Sequence, residues 1–195
     1  MSAEGFPAPY AALLAAVALQ RVAELRHSRR NLARTGAGAA TANDARHFGA
    51  MVAVHSGLIA LPAAEVSLRG RGAPVGLFSA ALALFLAAQV LRYWAIVSLG
   101  RAWNVRAVVD PGLGVVAEGP YRWIRHPNYL AILLEFLAVP AAGGAWVSLV
   151  VLNLLHAPLL ARRIRREEAL LGRVPGYAKA MEGKGRFLPH LRRIP

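Results

Sequence analysis

The chain has 195 residues, of which 56% are hydrophobic and only 17% charged, with a mean hydropathy of +0.42; soluble domains carry about 25% charged residues, so the composition points to a membrane protein. Its net charge of +13 falls between and after long apolar runs, which excludes a nucleic-acid-binding domain and fits anchors facing anionic membrane lipid. There is no cysteine, which rules out disulfides, thiolate metal sites and cysteine nucleophiles.

In chain order, Met1 to Gly5 carries Glu4 and no Lys or Arg, so the basic start of a cleavable signal is missing and the first apolar run is expected to stay in place. A transmembrane helix needs about 20 mostly apolar residues, found near Phe6 to Leu25, Gly49 to Leu68 and Pro74 to Leu99. Between the first two, Arg34 to Asp44 is rich in Gly, Ala and Thr and reads as a flexible loop. Its Gly36-Ala37-Gly38 is not a nucleotide loop, since no strand precedes it. Asn128 to Ala161 is too long for one span, and Pro140, Gly143 and Gly144 break it into a hairpin whose first helix is short. The fold class is therefore all-α and polytopic, with about five spans: residues 1–99 form three N-terminal helices and 100–195 the hairpin with its polar segments. Arg21, Arg26, Arg29, Arg30, Arg34 and Arg46 follow the first span, Arg101, Arg106, Arg122 and Arg125 follow the third, and the tail is dense in Arg and Lys. The positive-inside rule then places the N-terminus outside and the tail in the cytoplasm. The polar segments near 100–127 and 162–195 should meet at that face, and a site built from polar side chains belongs there.

The run Gly119-Pro-Tyr-Arg-Trp-Ile-Arg-His-Pro-Asn-Tyr129 puts His126 at the mouth of the fourth helix, because proline is favoured at a first helical position and pushes its predecessor out of helical geometry. Such a mouth offers unpaired N–H groups that suit a carboxylate. Read blandly, Tyr121, Trp123 and Tyr129 form an interfacial aromatic belt. In Arg162-Arg-Ile-Arg-Arg-Glu-Glu168, Arg163 and Glu167 share a helix face, which is also what an ordinary solvated helix would present; the hairpin returns them beside His126 and Tyr129.

Taken together, Gly-x-Tyr-x-x-x-Arg-His-Pro-x-Tyr, a hydrophobic hairpin, Arg-x-x-x-Glu-Glu and Phe187-Leu-Pro189 resemble the isoprenylcysteine carboxyl methyltransferase family over about Leu99 to Pro189. The resemblance implies an enzyme using S-adenosyl-L-methionine, held by Tyr121, the turn His126, Pro127, Asn128 and Tyr129, the backbone at Leu113, Gly114, Val115 and Val116, and Glu167. It implies that Arg163 faces the methyl acceptor and that Arg106 is a further cofactor contact, at a position where eukaryotic members carry glutamine. Ala131 stands where the family often has glycine. The stretch Arg122 to Glu135 resembles bacterial members linked to type III polyketide synthases, which implies O-methylation of a lipophilic alkylpyrone or alkylresorcinol; a prenylcysteine-like carboxylate is the other acceptor, and N-methylation of a phospholipid headgroup the nearest alternative reaction. Outside this resemblance, His55 and His156 lie inside apolar spans, where ionisable groups are functional candidates, and could hold a haem. Glu65 and Glu135 fit a small transport or scaffold protein. Gln89 and Arg92 on the third span line the site, or Arg92 snorkels to the surface.

Overall fold

The computed structural model describes residues 7–36, 39–41 and 45–189. Five long helices form the bundle: α1 (Ala8–Leu32), α2 (Ala45–Arg69), α3 (Val75–Leu99), α4 (Pro127–Gly143) and α5 (Trp146–Leu171). Four are long and apolar enough to cross a membrane, while α4, at 17 residues, is the short arm of the hairpin. Proline marks three of the starts: Pro7 and Pro74 are the N-caps of α1 and α3, and Pro127 opens α4 after the non-helical His126. Gly144, with φ at +66°, turns the chain out of α4, the left-handed conformation glycine adopts without penalty.

Helices α3 and α4 share the most extensive interface. Ala81, Ala88 and Ala95 of α3 and Ala131, Ala138 and Ala142 of α4 are all buried, and small side chains let backbones approach closely in a bilayer. Tyr10 reaches from α1 to donate a hydrogen bond to the Val139 carbonyl at 3.2 Å. A Cβ added to Gly143 would lie 2.5 Å from the Tyr10 ring, so glycine at that position is what admits the tyrosine.

Charged side chains tie the bundle together internally. Arg92 donates to Glu24 at 2.5 and 2.7 Å and to Glu135 at 3.2 Å; Arg21 pairs with both carboxylates, and Gln89 donates to Glu135 at 2.6 Å. Two expectations are thereby corrected. Arg92 is 3% exposed and does not snorkel, and Arg21 is a member of this cluster rather than a surface anchor, because the facing glutamates offer more than a headgroup could. Glu65 has a separate task, accepting from the Val147 and Ser148 amides at 3.2 and 2.7 Å and so capping the exposed N–H groups that begin α5.

The loop after α1 carries more order than its composition suggests. Strand β1 (Ala40–Thr41) pairs antiparallel with β2 (Val108–Val109), and the Gly36 amide donates to Asp110 at 2.8 Å. These bonds satisfy backbone groups of a segment with little side-chain packing. The rest of the Gly36-Ala37-Gly38 motif, Ala42 to Asp44, the opening residues through Phe6 and the tail beyond Pro189 lie outside the described residues.

Candidate functional site

At the polar end of the bundle the segment 100–126 folds over the mouths of α4 and α5. Asn31 of α1 donates to the Gly100 and Trp103 carbonyls at 3.1 and 2.7 Å, and Ser28 accepts from the Val105 amide at 3.0 Å, pinning Trp103 and Asn104 on α1. Gly119 is required where it stands: its φ is +55° and an added Cβ would collide with Ser98 of α3. The next residues form a 3-10 turn, Gly119–Arg122, that buries Tyr121.

Glu168 organises the mouth of α4. It accepts from His126 Nε2 at 3.0 Å, pairs with Arg125 at 3.2 Å and takes Arg186 at 2.5 Å. The tail is stitched to the same turn by backbone bonds, Arg125 N to Gly185 O at 2.9 Å and His126 N to Arg186 O at 3.0 Å. Lys184 donates to the Tyr121 carbonyl at 2.8 Å. Burial holds the Lys184 ammonium below its ordinary range and, with Glu167 and Tyr129 nearby, lifts the Tyr121 phenol well above its own, so Tyr121 is a neutral hydroxyl at working pH. Sequence reasoning gave Glu168 no role, since only the position of the returning tail reveals one.

Two cavities meet here. The first is an open cleft of about 110 Å³. Arg106, Gly114, Val115, Val116, Tyr121, His126, Asn128, Tyr129 and Glu167 all line it, residues that the sequence places far apart. Two expected members do not: Leu113 is 37% exposed and Pro127 is fully buried as the first residue of α4. Proline there lacks an N–H and serves the helix start, while Leu113 belongs to the 3-10 turn Pro111–Leu113 whose outer side it occupies. Arg106 also stacks over Phe48 at 4.7 Å. The apolar wall includes Tyr177 and Met181.

The second cavity, about 160 Å³, opens among α1, α2, α3, α4 and α5 and is lined chiefly by apolar groups such as Met51, Ile59 and Ile132. Arg163 enters it, as do Arg21, Arg92 and His55. Arg163 is 7% exposed; its Nε donates to the Tyr129 hydroxyl at 2.8 Å, and that hydroxyl donates to Glu167. One tyrosine thus links the arginine of one cavity to the glutamate of the other. Asn128, Trp103 and Asn104 line both cavities and form their common wall.

His55 and His156 pack against one another. His55 bonds the Met51 carbonyl at 2.8 Å, touches His156 edge to face at 5.3 Å, and His156 stacks on Phe136 at 3.9 Å. Direct ring contact leaves no slot between the imidazoles for a haem, which sets that expectation aside. Among the described residues no cluster of three or more potential metal ligands occurs.

Comparison with known proteins agrees with this geometry. Residues 81–173 match the model of the isoprenylcysteine carboxyl methyltransferase (ICMT) family, a span that holds the mouth of α4, the hairpin and both Arg163 and Glu167. The uncharacterized protein YpbQ of Bacillus subtilis (strain 168) is 34% identical over 159 residues, 82% of this chain and 94% of that relative, so the likeness reaches well into the N-terminal helices. Matched by the family model over residues 81–173 and by this relative along most of its length, the chain belongs to the isoprenylcysteine carboxyl methyltransferase family of membrane proteins.

Proposed function

We propose that this protein transfers a methyl group from S-adenosylmethionine to an anionic oxygen of a lipophilic acceptor at the cytoplasmic face of the cell membrane. The observation that carries the reading is the pair of cavities with a common wall, one mixed in polarity and holding Glu167, the other apolar and holding Arg163.

The first cavity fits the cofactor by the chemistry of its groups. Glu167 suits hydroxyl or ammonium donors, Arg106 and the N–H groups at the mouth of α4 suit a carboxylate, and Tyr177 and Met181 offer a flat apolar wall for a base. When bound, the cofactor supplies a methyl group on a positively charged sulfur. Tyr129 holds Arg163 and Glu167 in fixed relation, and orientation of two reactants contributes much of the rate in such a transfer.

The second cavity fits the acceptor. Leu25 and Val52 at its rim are 41% and 46% exposed, so an alkyl tail can enter sideways from the bilayer. Arg163 is anchored through Nε on the Tyr129 hydroxyl, and its side chain lines this cavity. A guanidinium lining an apolar cavity recognises an oxygen anion, a carboxylate or an acidic enol or phenol; the same charge disfavours an amine headgroup. A long-chain alkylpyrone or alkylresorcinol, the kind of product a type III polyketide synthase releases, has this shape.

The test is calorimetric titration of detergent-purified protein with S-adenosylhomocysteine. Saturable binding weakened by Glu167→Ala and by His126→Ala is expected, with Arg163→Ala losing methyl transfer to an alkylpyrone far more than it loses cofactor binding. A folded wild type that binds none sinks the reading, and equal loss of both properties in Arg163→Ala sinks the division of roles.

A further inference from the structure

The wall between the cavities contains two polar atoms that the protein leaves unsatisfied. Trp103 is 3% exposed, and its indole Nε1–H is buried without a hydrogen-bond partner among the described residues. The Asn128 side-chain oxygen is likewise buried and unpartnered. An unsatisfied buried donor or acceptor costs free energy, and native structures keep few of them. Both residues line both cavities. Neither position is accidental: Trp103 is held through its own carbonyl by Asn31 and rests on the His27 ring at 5.4 Å, and Asn128 sits in the first turn of α4.

We propose that Trp103 and Asn128 form the transfer junction, the indole N–H binding the acceptor oxygen and the amide oxygen of Asn128 receiving the polarised methyl group. The inference rests on the methyltransferase reading and adds two groups to it. One donor and one acceptor on the same wall call for a ligand pair that presents a lone pair to the first and a weakly acidic hydrogen to the second. An anionic oxygen and a methyl on a cationic sulfur are such a pair. A bond from Trp103 occupies one lone pair of the acceptor oxygen and leaves another free to meet the methyl carbon. As that lone pair forms the O–C bond, the S–C electron pair returns to sulfur as a neutral thioether, and the oxygen loses its charge as an ether or ester. No proton moves. Carbon–hydrogen contacts to an oxygen are weak individually, so Asn128 acts by distinguishing the methylated cofactor from its product.

The experiment uses the full chain in lipid nanodiscs with nitrogen-15 in the indole rings. The chain has four tryptophans, so Trp103→Phe identifies the resonance by its disappearance. On adding a long-chain alkylpyrone together with S-adenosylhomocysteine, the Trp103 N–H resonance should move downfield, and it should move little with S-adenosylhomocysteine alone. In parallel, Asn128→Leu should lower the preference for S-adenosylmethionine over S-adenosylhomocysteine, read as the ratio of their two dissociation constants in the same variant, by about two- to fivefold, the value of one such contact. An unmoved Trp103 resonance at saturation overturns the role of the indole, and an unchanged preference in Asn128→Leu overturns that of the amide. Absence of S-adenosylhomocysteine binding in the wild type is a different failure, that of the methyltransferase reading itself.

Discussion

Replacing Glu135 with leucine removes a carboxylate that is fully buried and contacts Arg21, Arg92 and Gln89. The cluster of two arginines and two glutamates is neutral as it stands; without Glu135 it holds one uncompensated positive charge inside the bundle. Removing one partner of a buried pair costs about 3–5 kcal/mol. In a chain of this size each kcal/mol moves Tm by about 2–4 °C, so the midpoint should fall by roughly 6–20 °C. Arg92→Met in the same chain removes the excess cation and leaves Arg21 with Glu24, 2.9 Å apart. The double variant should therefore be more stable than Glu135→Leu alone, a coupling read from the complete cycle of four proteins. Thermal unfolding in one detergent, followed by circular dichroism, supplies the four midpoints. A fall below about 2 °C for Glu135→Leu, or a double variant as unstable as the two single losses added, would refute the electrostatic account.

Gly143→Ala should destabilise the bundle by about 1–3 kcal/mol, because the new methyl meets the Tyr10 ring; restoration by Tyr10→Leu in the same unfolding assay identifies that clash as the cause. Glu65→Ala removes the cap of α5 and should cost about 0.5–2 kcal/mol, with faster amide exchange confined to the first turn of that helix. Tyr177 is held neutral to about 12, mainly by burial with Glu168 adding to it, against an ordinary value of 10.0. A phenol whose folded value is raised stabilises the fold below its unfolded value and loses that contribution as pH climbs through the window between them. Stability should thus decline between about pH 10 and pH 12, and Tyr177→Phe should flatten the slope there; an unchanged slope argues against the burial of this hydroxyl.

Apolar run lengths were enough to place α1, α2, α3 and the hairpin, since a bilayer demands a fixed length of hydrocarbon. Local spacing was enough to put His126 before Pro127 and Arg163 one turn before Glu167. What spacing could not reveal is what lies opposite. Arg21 sits among arginines that do face outward, and only the arrival of Glu135 from α4 separates it from them. Trp103 has no motif around it and gains its place from Asn31, far away in the chain. The failure of Leu113 and Pro127 to reach the cleft has a related origin, because a contiguous stretch rarely turns every side chain the same way. The second cavity was illegible for the same reason, being assembled from residues of five helices that are far apart in the chain.

The stitching of Gly185 and Arg186 onto the α4 turn bears on how the protein comes into being. Gly185 and Arg186 follow α5 in the chain, so they leave the ribosome after all five helices, and the mouth of the cleft gains this part of its wall only once they have emerged. Glu168 waits with His126 and Arg125 already at hand, and Arg186 arrives last to complete the set. A chain cut before Gly185 is therefore expected to keep its five helices while losing the contacts that close the mouth of α4.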